Sequence, residues 1–410
     1  MQRARLAPLA LTLSLAAIAP VMSARALETD QFTVPDRPLP DLGPETDVYV
    51  AALVWDVAQQ MNARAADQER AARTTSLPFM RSYHRGRAAR YRSADLLTKR
   101  VFDAVAGPGL PESRLEDWVR HHDFRAAREA GVSNPCFETT LARCVYGDSL
   151  FNKPLLLAFL SPTANFYGTY MGVDKLGHVF QHGYFYYQEY RRAESDGADD
   201  AKAAARAVRM GVGEERGFYG EITTGVYSNA DLAANYAGLK FYLNLTRPVR
   251  IGDAELPPLL VRGRRGDWGF NPLRRPDESL RVLVGDHFNE ALNPSRLERV
   301  LCGTVKDRLK RRAERLLDFY DTSPQRERER MAGLTTWHGE KYGHSGFVRV
   351  VSIADNCPVR DLPAGDEPGV VVAGGRATAA PPAASDRAGA SPAAPASSGG
   401  RSTPARLSIR

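Results

Sequence analysis

Along most of this chain apolar residues recur every three or four positions rather than every second one, so helices are expected to dominate. From Thr46 to Arg64 the residues Val48, Ala51, Ala52, Trp55, Val57 and Met61 keep that rhythm, with Thr46-Asp47 as an N-terminal cap. Further helices are expected over Ser93–Val105, stopped by Gly107-Pro108-Gly109, and over Pro111–Glu129 around Trp118, with His121-His122 on the surface. Asp199–Arg216, Ser228–Leu245 and Ser295–Tyr320 follow, the last burying Leu297, Val300, Leu301, Val305, Leu309, Leu316 and Phe319. Arg81–Tyr91 reads as an arginine-rich connector and Gln325–Arg330 as a solvated charged face or linker. Strand signals are short, at Leu256–Val261 and Phe347–Ile353. Pro162–Gly172 reads as a turn-rich run whose Phe166, Tyr167 and Tyr170 floor a site.

One stretch organises the rest: Val173 to Tyr190, VDKLGHVFQHGYFYYQEY. Asp174, His178 and His182 stand at i, i+4 and i+8, and at about 100° per residue they fall within roughly 80° of one another, with Glu189 in the same sector. Leu176, Val179, Phe180, Gly183, Tyr187 and Tyr190 form the apolar stripe beside that polar row. A second segment, Ser228 to Gly238, places Asp231 and Asn235 one turn apart, and Gly238 permits close approach of another helix. Antiparallel packing of the two would bring Asp174, His178, Asp231 and Asn235 face to face across a bundle core.

Composition adds the setting. Residues 1–26 have a basic start, an apolar run from Leu6 to Val21 and an Ala24-Arg25-Ala26 end, the pattern of a secretory signal peptide cut after Ala26. Retention as an N-terminal anchor is the alternative, weakened by Pro8 and Pro20. No later stretch approaches the roughly 18 apolar residues of a spanning helix, so the mature chain is expected to be soluble and periplasmic or secreted. The division expected is an extended leader at 27–45, a helical globular domain at 46–361, and a disordered Ala/Pro/Ser-rich tail at 362–410. The fold class is thus mainly α, a multi-helix globular bundle with a few short strands. Losing Arg3, Arg5 and Arg25 lowers the formal charge from +7 to +4. That weak excess, with no aromatic-interleaved basic strip, argues against nucleic acid and leaves peripheral contact with a membrane or envelope polymer. Four cysteines in an exported chain suggest two disulfides; of three pairings, Cys136–Cys144 with Cys302–Cys357 is favoured.

The Asp174-Lys175-x-x-His178 helix start, the later Glu214, Glu215 and Glu221, and Ser228-x-x-Asp231-x-x-x-Asn235-x-x-Gly238 together resemble the VanZ-like and YfiM-like groups of bacterial envelope proteins. The resemblance covers about Asp174 to Gly238, less than a fifth of the chain. It implies an envelope setting and a shared polar helix pair, but transfers no reaction. VanZ-like proteins span membranes and YfiM-like ones carry a lipobox; neither feature is found in this sequence.

What chemistry the polar residues could perform divides into two readings. The zinc-protease pattern H-E-x-x-H is absent, since Val179 follows His178. A divalent metal could still be shared by His178 and His182, about 6 Å apart by helix rise, with Asp231 or Glu221 as a third ligand. The Trp337–His344 cluster adds Glu340 and His344 as proton-transfer types. The candidate catalytic residues are therefore Asp174, His178, Asp231, Asn235, Glu340 and His344. The plainer reading makes Asp174 an N-cap, Ser228 and Asp231 a capping box, and His182 a core histidine. No G-x-S-x-G elbow surrounds Ser345, and Gly211-Val212-Gly213 completes no phosphate or dinucleotide loop. Two functions stay open: an exported cell-envelope protein of unassigned biochemical role with a structural His/Asp/Asn network, or a metal-dependent hydrolase acting on a lipid or other envelope component.

Overall fold

The computed structural model describes residues 28–107, 113–149, 160–217, 220–346 and 350–357. The expected signal peptide at 1–26, most of the Ser149–Leu160 run and the tail at 362–410 lie outside them. Helices dominate, and the strands among the described residues occur only in two-stranded pairs.

The first helix, α1 (Gly43–Thr74), is 32 residues long, well beyond the stretch expected. It continues past Arg64 because Ala65 and Ala72 keep one face buried and no Gly or Pro intervenes. The expected connector is a helix, α2 (Pro78–Tyr91), which folds back on α1 after a three-residue turn. Pro78 starts it with a preset φ, yet only Ala88 is buried, so no apolar stripe announces it. Ser93 caps α3 (Ala94–Val105). The third expected helix breaks into α4 (Arg114–His121) and α5 (Arg125–Glu129), because His122 turns extended and sends Phe124 into the core.

The organising stretch forms α6, which runs as α-helix over Asp174–Gly177, as a π turn over His178–His182, and as α-helix again over Gly183–Ser195. Its six stripe residues, Leu176, Val179, Phe180, Gly183, Tyr187 and Tyr190, are all buried. Asp199 caps α7 (Asp200–Arg216), and Ser228 caps α8 (Asn229–Asn244), whose residues are buried on every side except at Lys240. A helix enclosed all round is the core of the molecule. Glycines set where α6 and α8 cross. A Cβ on Gly238 would stand 2.0 Å from the Val179 carbonyl oxygen, and one on Gly183 would stand 2.5 Å from Gly238 Cα.

Short strands fill the connections. Thr163–Phe166 and Thr169–Gly172 make a hairpin turned by Tyr167 and Gly168, both with positive φ (56° and 84°) as its tight turn demands. Its tyrosines do not floor the site: Tyr167 donates to Asp47 on α1, and Tyr170 packs edge-on against Phe319. The single strand expected at Leu256–Val261 is two, Ala254–Leu256 and Leu260–Arg262, because Pro257 and Pro258 cannot donate to a ladder. Near the C-terminal end Val350 bridges to Arg296, while Phe347 lies outside the described residues. The long helix α9 (Arg299–Phe319) follows the expected pattern except that Val300 is exposed, whereas α10 (Pro324–Leu334) is not simply a solvated charged face, since Glu327 is buried and accepts from the Ile353 and Ala354 N–H groups.

Two expectations are corrected. Within the leader expected at 27–45 helix α1 already begins at Gly43, and the segment before it enters the core: Glu28, Thr29, Asp30, Gln31 and Phe32 are buried, and Glu28–Thr29 pairs in parallel with Leu160–Ser161. Only one of the two disulfides forms. Cys302 and Cys357 are bonded, with Cα atoms 5.9 Å apart, and tie residues 350–357 to α9. Cys136 and Cys144 are free and buried, since Cys136 packs into the core around α1 and α6, whereas Cys144 packs into the smaller core around α9 and bonds Asp30.

Candidate functional site

At the start of α6, Asp174 and Lys175 enter the core together. Asp174 is not the helix cap. Its Oδ1 accepts from Thr29 Oγ1 at 2.7 Å and its Oδ2 accepts from Lys175 Nζ at 2.8 Å, while its own N–H donates to Ser161. Gly172 is required beside it, because a Cβ there would lie 2.0 Å from both Asp174 Oδ1 and Thr29 Oγ1. Across the crossing, Ser228 caps α8 through the Asp231 N–H at 3.1 Å. The reciprocal half of a capping box is missing, since the Ser228 N–H donates to Glu215 Oε2 instead. The Asp231 carboxylate is thereby left to the interior, where its Oδ1 stands 2.6 Å from Lys175 Nζ.

Lys175 is the hub. Its side chain has 0% exposure and reaches Asp174, Asp231 and Glu290. Burial alone would depress its pKa, but Asp174, Asp231, Glu290 and Glu28 more than offset this and raise it well above the ordinary lysine value. For Asp174, burial pushes upward, and Lys175, His178 and the bonds from Lys175 and Thr29 outweigh it, leaving the carboxyl below its ordinary value. Three further carboxyls have too little cation to share. Burial, then the neighbouring acids, lifts Glu28 and Glu215 well above the carboxyl range, and Glu290 to about 7. Glu28 and Glu290 face each other as buried carboxyls, and the charge of Glu290 adds to the rise at Glu28. The centre is therefore one permanent cation holding two aspartates, with glutamates around it that favour their neutral forms.

His178 connects this centre to the surface. Its Nε2 stands 3.2 Å from Asp231 Oδ2 and its Nδ1 3.0 Å from the Asn235 amide. The Asn235 NH2 faces the carbonyl oxygens of Asp231 and His178, each at 3.3 Å, so it is the NH2 that points at Nδ1. Nδ1 then accepts and Nε2 carries the proton, donated to Asp231. Burial, opposed by Asp231, holds the His178 pKa below its ordinary value, consistent with a neutral ring. Asp174, His178 and Asp231 offer ligand atoms within 4.8 Å of one another, the one such metal-competent trio found among the described residues. As arranged, however, both His178 nitrogens are engaged, and Lys175 already stands between the two aspartates.

The other residues singled out from sequence are placed elsewhere. The π turn stacks the His182 ring on His178, 4.8 Å between centroids, and His182 Nδ1 faces Glu214 at 3.4 Å, outside the trio. Glu221 is not a ligand of this centre, since its carboxylate takes the Arg296 guanidinium. Glu340 binds Tyr236 and Lys240 on α8, and His344 Nδ1 accepts from the Gly346 N–H at 2.9 Å. Both belong to a loop packed on α8, with Gly343 against Val212 and Leu232. Glu189 pairs with Arg192 and Arg206.

Lys175 and Glu215 entered the sequence reading only through the resemblance, without a role, and Glu28 and Glu290 not at all. Lys175 stands one turn before Val179 at the edge of the apolar stripe, a position where a lysine must be buried or bend the pattern; that was a usable signal. Glu215 carried a weaker one, as a glutamate near the inner face at the end of α7. Glu28 and Glu290 carried none, because they arrive from segments 115 or more residues away in sequence, Glu290 bonding Lys175 and Gln31 of the first strand's exit.

The fold and site together define a mainly helical protein with a buried lysine–carboxylate centre at a helix crossing. Comparison with family models, curated proteins and solved structures finds no match to this chain. No helix of the described residues is long and apolar enough to cross a membrane.

Proposed function

We propose that this chain is an exported bacterial cell-envelope protein in which the Lys175 centre is a non-catalytic clasp joining four segments distant in sequence. The observation that carries this is the position of Lys175 Nζ, 2.8 Å from Asp174 and 2.6 Å from Asp231 with no exposed surface. A covalently attached cation occupies the seat that a metal would need, and the segments of Glu28, Asp174, Asp231 and Glu290 close around it. Support for the envelope setting comes from the N-terminal pattern of residues 1–26 and from the VanZ-like and YfiM-like resemblance. The residues behind that resemblance, Asp174, Lys175, His178, Asp231, Asn235 and Gly238, converge at one crossing rather than scattering over the surface.

The metal-dependent hydrolase stays as a second reading because Asp174, His178 and Asp231 do converge within 4.8 Å. A divalent ion there would have to displace the Nε2 proton of His178 and push Lys175 aside. Elemental analysis of protein purified without chelator, followed by thermal unfolding with and without EDTA, separates the two. The clasp predicts substoichiometric metal and an unchanged melting temperature. One tightly held zinc, manganese or iron per chain, with destabilisation on chelation, would replace it with the hydrolase reading. Fractionation of a tagged full-length chain, with N-terminal sequencing for a start at Leu27, tests the export half.

A further inference from the structure

The hairpin of α1 and α2 carries an unusual surface. From Ala71 to Arg92 the sequence has six arginines and no Asp or Glu. Arg92 pairs with Glu69 and Asp267, but Arg73, Arg81, Arg85, Arg87 and Arg90 have no carboxylate partner among the described residues. At the turn between the helices, Leu77 is 51% exposed and Phe79 68% exposed, and Tyr83, one turn on from Phe79, is 52% exposed. These three are among the largest apolar exposures of the described residues. Arg87 bonds both the Tyr83 and the Tyr91 hydroxyls and lies over both rings, so cation and aromatic residues form one continuous face along α2. Tyr91 in turn lines a groove between α1 and α3 together with Arg64, Lys99 and Arg100, but Asp56 and Asp103 line it too and Asp103 pairs with Lys99 and Arg100, so the basic excess belongs to α2 rather than to the groove.

We infer that this face docks on an anionic lipid surface. An apolar tip of Leu, Pro and Phe flanked by arginines on a helix that lies along its support is the arrangement that inserts shallowly at a headgroup boundary while its guanidinium groups meet phosphates. The same cations without the apolar tip would suit an acidic polymer equally. Leu77 and Phe79, exposed side by side at the turn of the hairpin, favour the bilayer. The inference stands independently of the clasp, since none of its residues touches Lys175 or its partners.

The test uses the full mature chain and vesicle co-sedimentation, with phosphatidylcholine alone and with about 30 mol% phosphatidylglycerol. Binding is expected only to the anionic vesicles and should fall steeply with salt. Phe79→Ser with Leu77→Ser should weaken it on the order of tenfold, and Arg81→Glu with Arg85→Glu and Arg90→Glu should abolish it. All five positions are exposed, and unchanged melting of each variant shows that the fold is intact. Equal binding to neutral vesicles, no binding to either, or anionic binding that survives the arginine reversals would overturn the proposal. So would binding to heparin or DNA that Phe79→Ser leaves unchanged when vesicles are not bound, which would assign the face to an acidic polymer.

Discussion

His178 is held in one tautomer by its neighbours rather than by its own pKa. Two backbone carbonyls orient the Asn235 NH2 toward Nδ1, so Nε2 must carry the proton given to Asp231. Long-range 15N NMR on labelled histidine should find Nδ1 unprotonated and Nε2 protonated at neutral pH; an Nδ1–H ring would show Nε2 free for a metal. The aspartates are charged partners and not helix punctuation, so Asp174→Asn, which keeps shape and removes charge, should cost about 3 kcal/mol or more, against about 1 kcal/mol for a lost cap. Urea unfolding of Asp174→Asn, His178→Ala and the double variant should show a coupling of roughly 1 kcal/mol, because they share one network. Additive losses below that size would sever His178 from Asp174. At this scale the sequence was partly legible. Helical spacing is local, so Asp174, His178, Asp231 and Asn235 could be paired from their periodicity, whereas Glu28 and Glu290 reach Lys175 only through the tertiary fold.

The elements were legible where burial imposes a stripe and hidden where it does not. α6 could be read from its apolar stripe, and α8, which is enclosed all round, from its Ser228 cap and its run of apolar and small residues. α2 could not, since a helix lying on one neighbour with only Ala88 buried has no amphipathic signature. The π turn at His178–His182 has no signal in residue type. The crossing itself was foreseen from Gly238, and it makes a sharp contrast between glycines. Gly238→Ala would place a Cβ 2.0 Å from the Val179 carbonyl oxygen, backbone that cannot yield cheaply, and should cost about 3 kcal/mol or more. Gly213→Ala, on the exposed side of α7 with nothing within 4 Å, should stabilise by about 0.5–1 kcal/mol. Thermal melts of the two variants read both signs; equal effects would mean that the helices do not meet at these glycines.

For the whole molecule, the mainly helical class followed from periodicity, but the burial of the N-terminal segment did not. Extended, proline-rich sequence gives no clue that Glu28–Gln31 threads the core. The thiols are a second whole-chain feature. Burial lifts Cys136 to about 12 and Cys144 further, and the two sit in different cores. Non-reduced peptide mapping should therefore find Cys302 linked to Cys357, with Cys136 and Cys144 alkylated only after unfolding. A Cys136–Cys144 peptide would contradict this packing.

The centre also gives stability a pH dependence with a definite sign. Glu290 is raised from 4.5 to about 7, so the folded state binds more protons than the unfolded chain across that window. Its contribution is present at low pH and is lost as pH rises through about 7, and Glu28 and Glu215 act in the same direction. Glu290→Gln, neutral throughout, should lose less stability than wild type between about pH 5 and about pH 8.

The central claim, that Lys175 is the cation on which this fold closes, is tested most directly by denaturant unfolding of Lys175→Met as a function of pH. Methionine fills much of the space and leaves Asp174 and Asp231 as buried, uncompensated carboxylates. The account predicts a loss on the order of 3–5 kcal/mol at neutral pH, partly recovered toward pH 5 because Asp174, without Lys175, keeps the burial that pushes its carboxyl upward and takes up a proton. Wild-type stability at neutral pH, or a loss that acid does not relieve, would contradict it.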